Sequence, residues 1–204
     1  MTPDDTPDTG ARTVDPAGLE RTQEVADRFR RVARGFTDRV EAVPPGRWDD
    51  PSPCDGWVAR DVVGHLTGWM PPFFLDLWQV PRPDLPSVAD DPIGAWAALR
   101  DALQTALDTP EVALREQETP LGRTLADAFD TGGVPDVLIH TWDLARAAGL
   151  DETLDPEEIA RLSQGIEDMP FDAMEASGHY GPRVAAPAGA DAQTRVLAAF
   201  GRTP

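Results

Sequence analysis

Apolar positions along the chain fall into stripes of helical period. Val25, Phe29, Val32, Phe36, Val40 and Val43 follow one another at spacings of four, three, four, four and three. Such spacing puts them on one face of a long amphipathic helix. Asp15-Pro16 supplies its start signal and Pro44-Pro45-Gly46 its end. A second helix is expected from Val58 or Ala59, with Val62, Val63, Leu66, Trp69 and Met70 as its apolar face. Pro71-Pro72 should kink or break it, and Phe73, Phe74, Leu77 and Trp78 continue an apolar pattern beyond. Proline-rich residues 81–92 read as a crossover. Asp91-Pro92 then opens a third helix, with Ile93, Trp96, Leu99, Leu103 and Leu107 on its buried side and Thr109-Pro110 as its stop. Residues 111–132 offer only a turn at Pro120-Leu121-Gly122 and a short helix over Leu125 to Phe129.

The fourth main helix covers DVLIHTWDLARAAG, Asp136 to Gly149, opening on Pro135. Asp155-Pro156 starts another, with Glu158 placed for a capping box and Ile159, Leu162, Ile166 and Met169 at helical spacing. Residues 170–190 read as irregular, and Asp191 to Phe200 as a final short helix stopped by Gly201. There is no internal repeat and no convincing strand alternation. Four main helices with short satellites predict an all-α four-helix bundle.

Length and charge narrow the class. The 204 residues suit one domain over 15–204, preceded by a loose tail over 1–14 that is rich in Asp, Thr, Pro and Gly. The net charge is −18, and every base is arginine. An acidic surface disfavours nucleic acid and anionic membranes as partners. The five arginines between Arg28 and Arg39 are interleaved with acids and read as a solvated helix face. Cys54 is the only cysteine, which excludes an internal disulfide and Cys-rich zinc motifs. No secretory pattern or bilayer-length apolar run is visible, so the expected compartment is the cytoplasm.

Candidate chemistry centres on two helices. A lone histidine on an apolar face, such as His65, is more often a hydrogen-bonded core residue than a ligand. Asp136 and His140, however, lie four residues apart and share a helical face. An unpaired carboxylate buried there would be costly, and a divalent cation removes that cost. The competing explanation is an Asp–His hydrogen bond within the helix. If the second and fourth helices are neighbours, His65, Asp136 and His140 converge as three metal ligands. Two imidazoles and one carboxylate are a catalytic-type zinc set with a position left open, and they also suit iron or nickel. Asp143, one turn on, is a candidate partner that orients an imidazole, or else a carboxylate held by an arginine. Trp142 reads as packing. Arg146 is a candidate for binding an anionic substrate, and His179, in a Ser-Gly-His-Tyr-Gly loop, is either an exposed histidine or a further ligand or substrate contact. Cys54, flanked by Asp55, reads as structural.

The run PSPCDGWVARDVVGHL, residues 51–66, is similar to the second-helix signature of actinobacterial metal-binding proteins of the DinB/YfiT-like superfamily. Relatives there include the N-terminal domain of mycothiol-dependent maleylpyruvate isomerase. Residues 136–149 resemble that group's second signature, and the ending from YGPRVAAPAGADAQ to AAFGRTP resembles its C-terminus. The resemblance implies a DinB-type four-helix bundle holding one metal, zinc first, on His65, Asp136 and His140. Asp136 stands where the isomerase has the longer glutamate. It also implies a low-molecular-weight thiol cosubstrate such as mycothiol, a small organic electrophile, and a transferase or isomerase reaction. Homodimers occur in that superfamily. A metal carrier or sensor, and a thiol-independent metal hydrolase, remain the alternatives. Val58 stands where relatives carry a capping Thr or Ser.

Overall fold

The first apolar stripe is a helix, Pro16–Ala42 (α1), in the computed structural model, which describes residues 16–176 and 181–204. Val25, Phe29, Phe36 and Val40 are fully buried along it. The expected N-terminal tail, 1–14, and His179 lie outside the described residues.

Helix α2 spans Ala59–Met70. Its first turn lacks a side-chain cap at Val58, but the Val58 N–H donates to Asp61 Oδ2 at 2.9 Å, so the carboxylate three residues on does part of that work. The expected break at Pro71-Pro72 does not occur. The chain continues through a wide π-type turn, Pro71–Asp76, which absorbs the two missing N–H donors. This carries Phe74, Leu75 and Trp78 into the core, whereas Leu77 is left exposed. Helix α3, Pro92–Leu107, is capped by the Asp91 carboxylate, which accepts the Gly94 N–H at 2.8 Å. Ile93, expected on its buried side, is exposed, because Pro92, Ala95 and Trp96 take the inward positions of the first turns.

Thr109-Pro110 ends α3 but also opens one further turn, α4, Pro110–Ala113. A small antiparallel hairpin follows, β1 Glu116–Thr119 and β2 Gly122–Thr124. It corrects the expectation of no strands. These strands are too short to show alternation, and the pairing is set by the turn, where Thr119 Oγ1 accepts the Leu121 and Gly122 N–H groups. Thr124 caps α5, Leu125–Ala128, through the Asp127 N–H at 3.0 Å. A second wide turn, Phe129–Gly133, leads into α6, Val134–Ala148. Helix α6 ends where Gly149 takes φ of 66° and Leu150 N–H returns to the Ala145 carbonyl at 2.8 Å. The remaining helices are α7, Pro156–Gly165, α8, Phe171–Ala176, in a stretch expected to be irregular, and α9, Ala192–Ala199.

Helices α1 and α2 are each flanked by α3 and α6, which makes the bundle. Phe129 from the turn before α6 meets Phe29 of α1 and Phe74 of the α2 extension edge-on, at centroid distances of 4.8 and 4.7 Å. The architecture is all-α of DinB-like type. Among the described residues no helix is long and apolar enough to cross a membrane.

One expectation about α1 fails in an informative way. Arg28 is buried and not part of a solvated face. Its guanidinium makes two bonds to the Glu158 carboxylate, at 2.8 and 2.6 Å, and pairs with Asp130. Glu158 is therefore not a capping-box residue. Asp155 alone caps α7, and Glu158 points inward to Arg28 and Arg31. Removing one partner of a buried bidentate pair strands the other's charge. Arg28→Ala is expected to lower stability by about 3–5 kcal/mol in urea unfolding, whereas Arg30→Ala, whose pairs are exposed, should cost well under that.

Candidate metal centre

Asp136 lies in the first turn of α6 and His140 one turn later, so both leave the helix toward α2. His65 comes from the middle of α2. Its Nε2 is 3.3 Å from Asp136 Oδ2, and His140 Nε2 is 3.4 Å from Asp136 Oδ1. Ligand atoms of all three side chains lie within 4.8 Å of one another. Charge-assisted N–H···O bonds are about 2.7–2.9 Å long. Bonds of about 2.0–2.1 Å to a tetrahedral zinc ion put neighbouring ligand atoms about 3.3 Å apart. Both separations are longer than a charge-assisted bond, each goes to a different oxygen of Asp136, and the three side chains are close enough together to hold a cation between them. The side chains differ in exposure: His140 6 %, Asp136 15 % and His65 29 %. The cluster is closed on the His140 side and accessible on the His65 side.

A second ring of groups holds the three in place. Trp69 Nε1–H donates to Asp136 Oδ2 at 2.9 Å, leaving Oδ1 turned to His140. The Trp57 ring lies over both imidazoles, 5.1 Å from His65 and 5.9 Å from His140. Behind His140, Nδ1 is 2.9 Å from Asp143 Oδ2, close but off the line of a ring hydrogen bond. Asp143 is fully buried and is gripped by Arg202 through Nε at 3.2 Å and Nη2 at 2.7 Å. The Cys54 thiol donates to the same carboxylate at 3.4 Å.

These contacts decide the charges. Burial alone would push the Asp136 carboxyl up, but the imidazoles of His140 and then His65 outweigh it and hold it well below the usual carboxylate range. Burial would push the His140 imidazolium down, yet Asp136 and Asp143 on either side raise it well above its ordinary value. Asp143 feels the same burial but is brought down to about 2, by His140 first and Arg202 second. Without a cation the cluster is a carboxylate–imidazolium–carboxylate row. Cation binding would therefore displace the His140 proton.

Of the residues singled out from sequence, His65, Asp136, His140 and Asp143 come together. Arg146 is committed elsewhere: it pairs with Glu152 at 3.0 and 2.7 Å, lies 4.4 Å over the Trp142 ring and reaches the Thr203 carbonyl. Sequence reasoning missed Arg202, and it gave Cys54 no place beside Asp143. Trp57 and Trp69 were legible only as a turn residue and a helix-face apolar residue.

Fold and cluster together define an all-α DinB-like protein with a two-histidine, one-carboxylate group between two helices. Residues 4–72 match the mycothiol maleylpyruvate isomerase N-terminal domain family, and over that stretch the chain is similar to that domain. The match includes His65 but ends before α6. Two uncharacterized proteins from strains of Mycobacterium tuberculosis are each 29 % identical over 127 residues, 62 % of this chain and 69 % of theirs. No solved structure matches the chain.

A carboxylate held below its unfolded value contributes stability above that value and loses it as the pH falls through the folded one. For Asp143 that window runs from the ordinary 3.8 down to about 2. Metal-free protein should lose on the order of 2 kcal/mol across it. Denaturant midpoints measured from pH 5 to pH 2 should fall more steeply for wild type than for Asp143→Asn. Parallel curves would remove Asp143 from the acid response.

Proposed function

We propose that His65, Asp136 and His140 hold one divalent cation, zinc first, and that the protein is a low-molecular-weight-thiol-dependent transferase or isomerase acting on a small organic electrophile. The observation that carries the metal reading is the convergence of two imidazoles and one carboxylate with ligand atoms within 4.8 Å of one another, and with the exposed side at His65. Nickel and iron fit the same donors less selectively. The thiol reading draws support from the similarity to the mycothiol maleylpyruvate isomerase N-terminal domain.

A bound divalent cation supplies Lewis acidity, which favours the thiolate of a thiol such as mycothiol at neutral pH. The protein's own groups do the rest. Trp69 fixes one oxygen of Asp136, so the carboxylate cannot rotate freely. Asp143 sits behind His140 and sets the orientation of its ring. Trp57 stacks on the His140 imidazole and lies tilted beside that of His65. Substrates approach beside His65, the most exposed of the three. In a transferase the sulfur bonds to the electrophilic carbon as a leaving group departs. In an isomerase the same sulfur leaves again after rotation about the carbon–carbon bond.

Protein purified without a metal-affinity tag should carry about one transition metal per chain by elemental analysis, and His140→Ala should carry almost none. Equal trace amounts in both would dispose of the site. Adding mycothiol to the cobalt-substituted protein should produce a sulfur-to-cobalt charge-transfer band in the near ultraviolet. If cobalt binds and that band does not form, the protein is a metal-binding protein without thiol chemistry.

A further inference from the structure

The C-terminal segment reaches the cluster from the side opposite the exposed imidazole. Helix α9 packs on α7 and ends in a glycine cap: Gly201 takes φ of 81°, its N–H returns to the Ala198 carbonyl at 3.0 Å, and the Arg202 N–H returns to the Leu197 carbonyl at 2.9 Å. That reversal turns Arg202 back toward α6. Its Nη1 donates to the Phe200 carbonyl at 2.7 Å, which fixes the guanidinium plane. Nε and Nη2 then take both oxygens of Asp143, and Nη2 also lies 3.5 Å from Cys54 Sγ. The next residue is tied to α6 as well, because Arg146 donates to the Thr203 carbonyl at 3.3 Å.

We infer that Arg202 is a positioning residue of the metal centre, acting through Asp143 on the orientation of His140. The inference rests on the metal reading above. A carboxylate can turn about its Cα–Cβ and Cβ–Cγ bonds, and among the described residues the donors to Asp143 are the side chains of Arg202 and, more distantly, Cys54. The planar fork of Arg202 takes both its oxygens and leaves one rotamer, with Oδ2 beside His140 Nδ1. His140 is thereby held with Nε2 toward Asp136. A lysine would offer a point charge without the fork. Groups that orient a metal-ligating histidine typically contribute about 10–100-fold to metal affinity.

The test is zinc affinity measured by chelator competition on wild type, Arg202→Met and Arg202→Lys, with thermal unfolding of each metal-free protein alongside. Arg202→Met should weaken zinc by about 10–100-fold, and Arg202→Lys should recover part of it. The ligand-field spectrum of the cobalt forms should shift in Arg202→Met, which a role confined to holding the tail would not cause. Affinity and cobalt spectrum unchanged in both variants would overturn the inference. Should the variants fail to fold, the wild-type protein answers the question: the Arg202 Nε–H resonance should move on zinc loading, and a resonance that stays in place counts against the coupling. Wild type that binds no zinc removes the metal reading and this inference together, whereas zinc-binding wild type with unaffected variants removes only this one.

Discussion

The arrangement depends on keeping the Asp136 carboxylate charged inside a helical bundle. An ionised carboxylate taken out of water costs several kcal/mol unless charge and hydrogen bonds are returned to it. Here an imidazole comes from its own helix, a second from α2, and an indole N–H from one turn further along α2. Those partners exist together in only one register. Sliding α2 along α6 by one turn moves its side chains by about 5.4 Å, which would separate His65 and Trp69 from the carboxylate at once. Apolar packing between α2 and α6 is less demanding, because neighbouring turns of both present similar aliphatic surface. Asp136 therefore works as a register pin as well as a candidate ligand. The wide turn after Met70 serves the same end, since it carries the chain beyond α2 into the core without interrupting the helix.

Helix α6 is held by ion pairs on its far side too. The turn leading into it carries Asp130, which joins Arg28 and through it Glu158 of α7. Near its other end Asp143 joins Arg202. Each pair links α6 or its approach to a segment remote in sequence, and each is buried enough that losing one partner strands the other. The short helices after α6 are thus fastened to the bundle by charge where their apolar faces are small.

The helices were legible because their signals are local. The stripe on α1, the Asp-Pro starts of α3 and α7 and Gly149 after α6 each need only a few consecutive residues to be read. So is the Asp136–His140 pair, whose four-residue spacing sets its geometry. What escaped is non-local. Arg28 looked like one of five arginines on a wet face, and only the folding back of α7 brings Glu158 over it. Arg202 lies 59 positions from Asp143, and nothing at either place announces the other. Pro71-Pro72 misled for a different reason: two prolines ordinarily end a helix, but a wider turn accommodates them when the aromatic residues beyond have a core to enter. The hairpin was too short for strand alternation to register.

The asymmetry of burial around the cluster bears on what such a centre is built for. A purely structural site closes all its positions with protein ligands and hides them equally. Here His140 is packed behind by Asp143, Cys54 and Arg202, while His65 keeps nearly a third of its side chain in solvent. The rigid side is where support accumulates, and on the open side the His65 imidazole is flanked by the rings of Trp57 and Trp69. A net charge of −18 also raises the local concentration of divalent cations and lowers that of anions. On the proposed reading those two features would act together: the field would favour loading of the centre, and the opening at His65 would leave room for a thiol to meet it.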